Sequence, residues 1–222
     1  MSNIVSARLA RLANMPWNQM TRPRGRPRSF DESTVRCAIM RTFWKKGYSS
    51  ASLDDLSEAT QLVRPSLKGA FGSKRDMFRM SIDTYMDHLS PARELLANAS
   101  TLEEGLNAFF DCMTELYFDA DPDAPMGCFL VGVVLNEAPG DPELRDVLKE
   151  RLTMLNEMLF TAIAKRYPDA QPGDIQIAAD QTSAVLHSLA VRVRSGEDKA
   201  ILLKFTRQMV RVICCTLQRA EQ

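Results

Sequence analysis

From Asp31 to Gly47 the apolar positions Val35, Ala38, Ile39 and Phe43, joined by Thr42 and Lys46, follow the three-and-four spacing of a helix with one buried side. Asp31 is placed to cap its start, Phe30 and Val35 to staple it, and Gly47 to end it. A second, short helix is predicted from Ser52 and Asp55, which have capping-box spacing. Its apolar positions Leu53, Leu56 and Ala59 give two turns before polar Thr60 and Gln61. In Leu62 to Phe71, Pro65 stands near a helix start, where a missing N–H costs least. Leu67, Ala70 and Phe71 would face inward, and Arg64, Ser66, Lys68 and Gly69 outward. Gly72, Ser73 and Lys74 turn the chain.

Beyond that turn the three-and-four period recurs, and the expected fold is all-α. One helix is predicted from Lys74 through Met77, Phe78, Ile82, Tyr85 and Leu89 to about Pro91, with a break near Ala97 to Ser100. Leu102, Leu106, Phe109, Phe110, Met113, Leu116 and Tyr117 mark the next, followed by a loop from Asp119 to Pro125. Met126 to Ala138 is almost wholly apolar, which by itself fits a strand or a buried helix. Asp141 and Pro142 open a helix to Tyr167, PDAQPGD is a loop, and helices Ile175 to Arg194 and Lys199 to Arg219 close the chain. Residues 1–20 carry only weak helical periodicity.

Charge changes this picture. The 222 residues hold 28 basic and 28 acidic side chains, but residues 1–79 hold 15 against 6 and the remainder 13 against 22, a split of about +9 and −9. Such asymmetry points to one part that meets a polyanion. The outward face of Arg64, Pro65, Ser66, Lys68 and Gly69 suits a DNA major groove, and Lys74 could aim an ammonium at a phosphate. TRPRGRPR, with Arg24, Arg26 and Arg28, cannot form helix and reads as a minor-groove arm or as a solubilising tail.

Other chemistries find little support. His88 and His187 lie in no metal-ligand spacing, no phosphate loop or nucleophile elbow is present, and no enzyme activity, cofactor or metal is implied. Five cysteines without CxxC spacing predict reduced thiols. No run approaches the roughly 18 apolar residues of a membrane span, so a cytoplasmic protein without a membrane partner is expected.

The run LVRPSLKGAFGSKRDMF resembles the recognition helix and exit of the TetR/AcrR family of transcription regulators, and SFDESTVRCAIMRTFWKKGYSSASLDDLSEAT resembles the two helices before it. Gln61 stands where the family turn usually has Gly, Val63 where it has a small capping residue, and Lys68 where it has an aromatic. The resemblance implies about nine helices: an N-terminal three-helix helix-turn-helix DNA-binding domain at residues 29–75, behind a basic extension at 1–28, and a ligand-binding and dimerisation bundle at 76–222. It makes Met126 to Ala138 helical, and TRPRGRPRSFDE after Met20 looks like a usual family opening, so translation is expected to begin there. The DNA-contact set is then Arg24, Arg26, Arg28, Ser52, Arg64, Pro65, Ser66, Lys68, Gly69 and Lys74. The last two helices would pair with those of a second subunit through Leu186, Leu189, Val193, Phe205, Met209, Val212 and Ile213, or bury into their own subunit. A small-molecule effector would be held by Tyr85, Phe109, Phe110, Met113, Tyr117, Cys128, Phe129, Met158 and His187, which could equally be packed core. Cys128, after Gly127 at an expected helix start, is a candidate electrophile sensor or a buried structural thiol. The partners implied are a near-palindromic operator, a second copy of the chain and that effector, with the chain acting as a repressor.

Overall fold

The computed structural model describes residues 30–119 and 125–220, and every element among them is helical. The expected arm with Arg24, Arg26 and Arg28, the start at Met20 and most of the loop after Asp119 lie outside the described residues. Among the described residues nine helices have eight residues or more: α1 Glu32–Lys46, α2 Leu53–Thr60, α3 Arg64–Phe71, α4 Lys74–His88, α5 Ser90–Asn98, α6 Leu102–Asp119, α8 Pro142–Ala164, α9 Pro172–Arg194 and α10 Lys199–Ala220. Between α6 and α8 lies a composite element, α7, made of a π-helix Leu130–Val134, one α-turn Leu135–Glu137 and a 3-10 turn Ala138–Gly140.

Three boundaries differ from those expected. The helix opened by Lys74 ends at His88, and Ser90–Asn98 is a helix of its own, with Pro91 in the first turn where no N–H is needed. The apolar run begins its helix only at Phe129, after an irregular Met126–Cys128, and continues as π-helix. Pro172 and Gly173 belong to α9 rather than to the loop, since Pro is well suited to a first turn.

The chain divides into two compact units between Tyr85 and Met86, ten residues beyond the expected boundary. The difference has a packing cause: the first three turns of α4 belong to the N-terminal core. Phe78 meets Phe43 edge-on at 5.2 Å and Tyr48 at 4.7 Å, while Tyr85 meets Trp44 edge-on at 5.1 Å. Val35, Ile39, Met40, Leu56, Leu67, Met77 and Ile82 complete this core.

In the C-terminal unit α6 runs against α5 and α10, and α9 against α8 and α10. Phe109, Phe110, Met113, Tyr117, Phe129, Leu159, Leu189, Val193, Leu202 and Ile213 are buried among these helices. Polar side chains tie helix to helix. Arg166, just past α8, donates to the carbonyls of Leu96 at 2.7 Å and Ala99 at 2.8 Å, satisfying acceptors left open at the end of α5. Arg207 of α10 donates to Asp111 of α6 at 2.8 Å.

Candidate nucleic-acid interface

The N-terminal unit is built to hold α3 outward. Asp31 accepts from the Ser33 N–H at 3.2 Å to start α1, and Ser52 and Asp55 form a reciprocal capping box at α2. Lys46 at the end of α1 meets Asp55 at 2.5 Å, tying the supporting helix to α2. This lysine, and after it the Ser52 N–H, hold the Asp55 carboxyl well below the usual carboxylate range.

The turn between α2 and α3 is made by Gln61 in the left-handed region, at φ 56° and ψ 23°. A side chain there is strained, and two neighbouring hydroxyls hold the turn. Ser57 donates to the Leu62 carbonyl at 2.5 Å, and Thr60 donates to the Leu56 carbonyl at 2.6 Å. Val63 then supplies an extended start with no side-chain cap and is 66% exposed.

Only Leu67 and Phe71, four residues apart, anchor α3 by full burial. Arg64, Pro65, Ser66, Lys68 and Gly69 are all exposed. A Cβ built on Gly69 would meet nothing within 4 Å, so no packing within the chain requires glycine there.

The cations on this surface differ in availability. Arg64 is held by Asp54 of α2, with Nε 2.6 Å from the carboxylate, and this neighbour raises the guanidinium pKa. The pair is exposed on both sides, so competing phosphates exchange for it at little cost. Lys74 lies over the Tyr48 ring, 4.7 Å from its centroid, and reaches the Ser49 carbonyl at 3.5 Å. Ser52 spends its hydroxyl on the Asp55 carboxylate at 2.7 Å. The sequence reading missed a second such box, Ser73 with Asp76, although its spacing repeats that of Ser52 with Asp55.

The other expected sites are redistributed. Tyr85 packs on Trp44 in the N-terminal unit. Phe109, Phe110, Met113, Tyr117 and Phe129 are at most 1% exposed and belong to the packed core. Met158 is half-buried on α8. His187 is half-buried on α9, with its Nε2 buried and unbonded, and burial lowers its pKa. Cys128 does line a cavity, one residue before its helix begins.

The interface set also divides. Leu186, Leu189, Val193 and Ile213 are at most 3% exposed and build the chain's own core, which corrects their placement on a subunit interface. Phe205, covered on one ring face by Arg192 at 4.2 Å, and Met209 are half-buried. Val212 is 53% exposed and is joined by Ile201, and by Ile177 and Val191, which sequence reading missed. The seven-residue steps Ile177, Ala184 and Val191 were the available signal.

Burial pushes the Cys112 and Cys214 thiols up to about 11, so neither is a thiolate at neutral pH. Among the described residues no group of side chains could hold a metal ion, and no helix is long and apolar enough to cross a membrane.

A capped supporting helix, a short helix, a left-handed turn and an exposed second short helix define a helix-turn-helix transcription regulator. Residues 37–80 match the family described as "Bacterial regulatory proteins, tetR family". Over 194 residues the chain is 26% identical to the HTH-type transcriptional repressor ComR of Escherichia coli, covering 85% of this chain and 91% of that one. It also resembles the TetR family regulator CifR, solved with a 26-base-pair operator, at 27% identity and a TM-score of 0.73 over 84% of this chain and 98% of that one. A TetR regulator from Legionella pneumophila, 16% identical with a TM-score of 0.71 over 84% of this chain and 98% of that one, shares the fold. The chain is thus similar to TetR-family regulators over most of its length, with the family model matching its helix-turn-helix region.

Proposed function

We propose that this protein is a TetR-type repressor that binds a near-palindromic operator as a homodimer in the cytoplasm, and that a small effector releases it. The observation that carries the reading is α3, anchored by Leu67 and Phe71 alone and leaving Arg64, Pro65, Ser66, Lys68 and Gly69 exposed. The likeness to a regulator solved on its operator supports DNA as the partner of these residues. In this reading Arg64 and Lys68 meet phosphates and base edges, Gly69 admits close approach, and Lys74 and the arm contact the backbone.

Dimerisation rests on the exposed apolar positions Ile177 and Val191 of α9 and Ile201 and Val212 of α10, which are large side chains left open to water on the last two helices. Two copies would read half-sites about one helical turn, roughly 34 Å, apart. An effector that binds one separation of the two heads better than the other would lower DNA affinity by that difference. The effector is small and either hydrophobic or electrophilic, the second because the Cys128 thiol lines a cavity.

The test is titration of fluorescent DNA from the protein's own upstream region, with a scrambled duplex as competitor. Selective, steeply salt-dependent binding that weakens on Lys68→Ala supports the reading. A rival reading, a helical adaptor or enzyme without sequence-specific DNA binding, predicts equal and weak binding to both duplexes.

A further inference from the structure

Where α7 passes the C-terminal end of α9, the C-terminal unit encloses a half-open cavity of about 370 Å3, lined among others by Cys128, Val131, Gly132, Ala190, Val191 and Arg194. That volume lies within the range of about 300–1,000 Å3 found for small-molecule sites. We propose that this cavity binds a small organic carboxylate, with the carboxylate on the Arg194 guanidinium and a short apolar body against Val131, Ala190 and Val191. That this ligand is the effector rests on the regulator reading above.

Two glycines shape the site. Gly127, at φ 64°, brings its backbone so close to α9 that a Cβ would stand 2.4 Å from the Ala190 carbonyl oxygen. Gly132 lies within the π-helix, and a Cβ there would stand 2.4 Å from Arg194 Nη1. The missing Cβ is the space in which the guanidinium lies across the cavity wall. π-turns of this kind recur at functional sites because they widen a helix locally.

The donor inventory selects an anion. Asn136 already donates to the Gly132 carbonyl at 2.9 Å, and the Ser195 hydroxyl donates to the Arg192 carbonyl at 2.8 Å. Glu197, the nearest carboxylate in sequence, is engaged by Arg192 through bonds of 2.7 and 2.5 Å. Arg194 forms no hydrogen bond or ion pair with a described residue, which leaves a planar fork of donors beside an apolar wall. A carboxylate matches that fork bidentately, while a neutral amide gains far less from it. Val191 is 57% exposed and belongs both to the cavity wall and to the proposed dimer face, so a ligand held here would touch the element that sets subunit packing.

The experiment titrates the full chain with benzoate and hexanoate, and with benzamide and hexanamide as neutral matches, by calorimetry and by thermal midpoint. The expected result is binding of an acid and not of its amide, weakened about tenfold by Arg194→Gln and less by Arg194→Lys. Gly132→Ala, which displaces the guanidinium, should weaken binding independently of the charge change. Amides binding as well as acids, unchanged affinity in Arg194→Gln, or no binding by either acid at millimolar concentration overturns the site. DNA affinity measured without acid separates the two readings. Selective DNA binding with no acid bound leaves the regulator and removes this site, and acid binding without selective DNA binding removes the regulator and the effector role.

Discussion

At Gly69 the usual reason for a glycine inside a helix is missing, because a side chain would enter open space. Gly69→Ala should therefore stabilise the isolated protein by about 0.5–1 kcal/mol in denaturant melts, while weakening DNA binding wherever the duplex approaches α3 closely. Lys68, exposed and without a carboxylate partner among the described residues, should lower the slope of log affinity against log salt by about 1 when changed to alanine. His187 makes a different prediction. Burial depresses its pKa below the ordinary value of 6.5, so the unfolded chain takes up a proton before the folded one does. Its contribution to stability is complete above pH 6.5 and declines as the pH falls from there toward the lowered folded value. His187→Gln should flatten thermal midpoints across that interval. The outward residues of α3 were legible in the sequence because amphipathic spacing alone assigns them. Arg194 was not, because its setting depends on Gly132, sixty-two residues earlier in the chain.

Among the elements, the turn between α2 and α3 carries strain at a known address. Gln61 adopts φ 56° without the freedom of glycine, so Gln61→Gly should stabilise the N-terminal unit by about 0.5–1 kcal/mol with DNA selectivity retained. The capping box at Ser52 helps explain why a helix as short as α2 persists, since eight residues do not nucleate readily alone. Arg166 plays the corresponding part between helices. Its bonds to Leu96 and Ala99 close the end of α5, and Arg166→Met should cost about 1.5–3 kcal/mol, read as a lower denaturation midpoint. Helix starts were visible in sequence at Asp31, Ser52, Pro65 and Asp141, but not at Ser90 or Pro172, where proline was read as a break. The π-turn at Leu130–Val134 was not, because local periodicity treats an apolar run as helix or strand only.

For the molecule as a whole, the exposed apolar positions on α9 and α10 predict association. Sedimentation of the wild-type chain should report a dimer, and Ile177→Glu with Val191→Glu should give a folded monomer of weakened DNA affinity, each carboxylate lying on a surface that water already reaches. An unchanged dimer would move the interface elsewhere. The sequence by itself determined an all-helical chain, a cationic N-terminal part and the outward face of α3, because helical period, capping residues and net charge are local or additive properties. Only the tertiary structure decided that Phe109, Phe110 and Tyr117 are core rather than pocket, and that Leu189 and Val193 turn inward while Val191 stays in water. Both choices depend on which helix lies opposite, and an amphipathic pattern states how wide an apolar face is without naming what covers it.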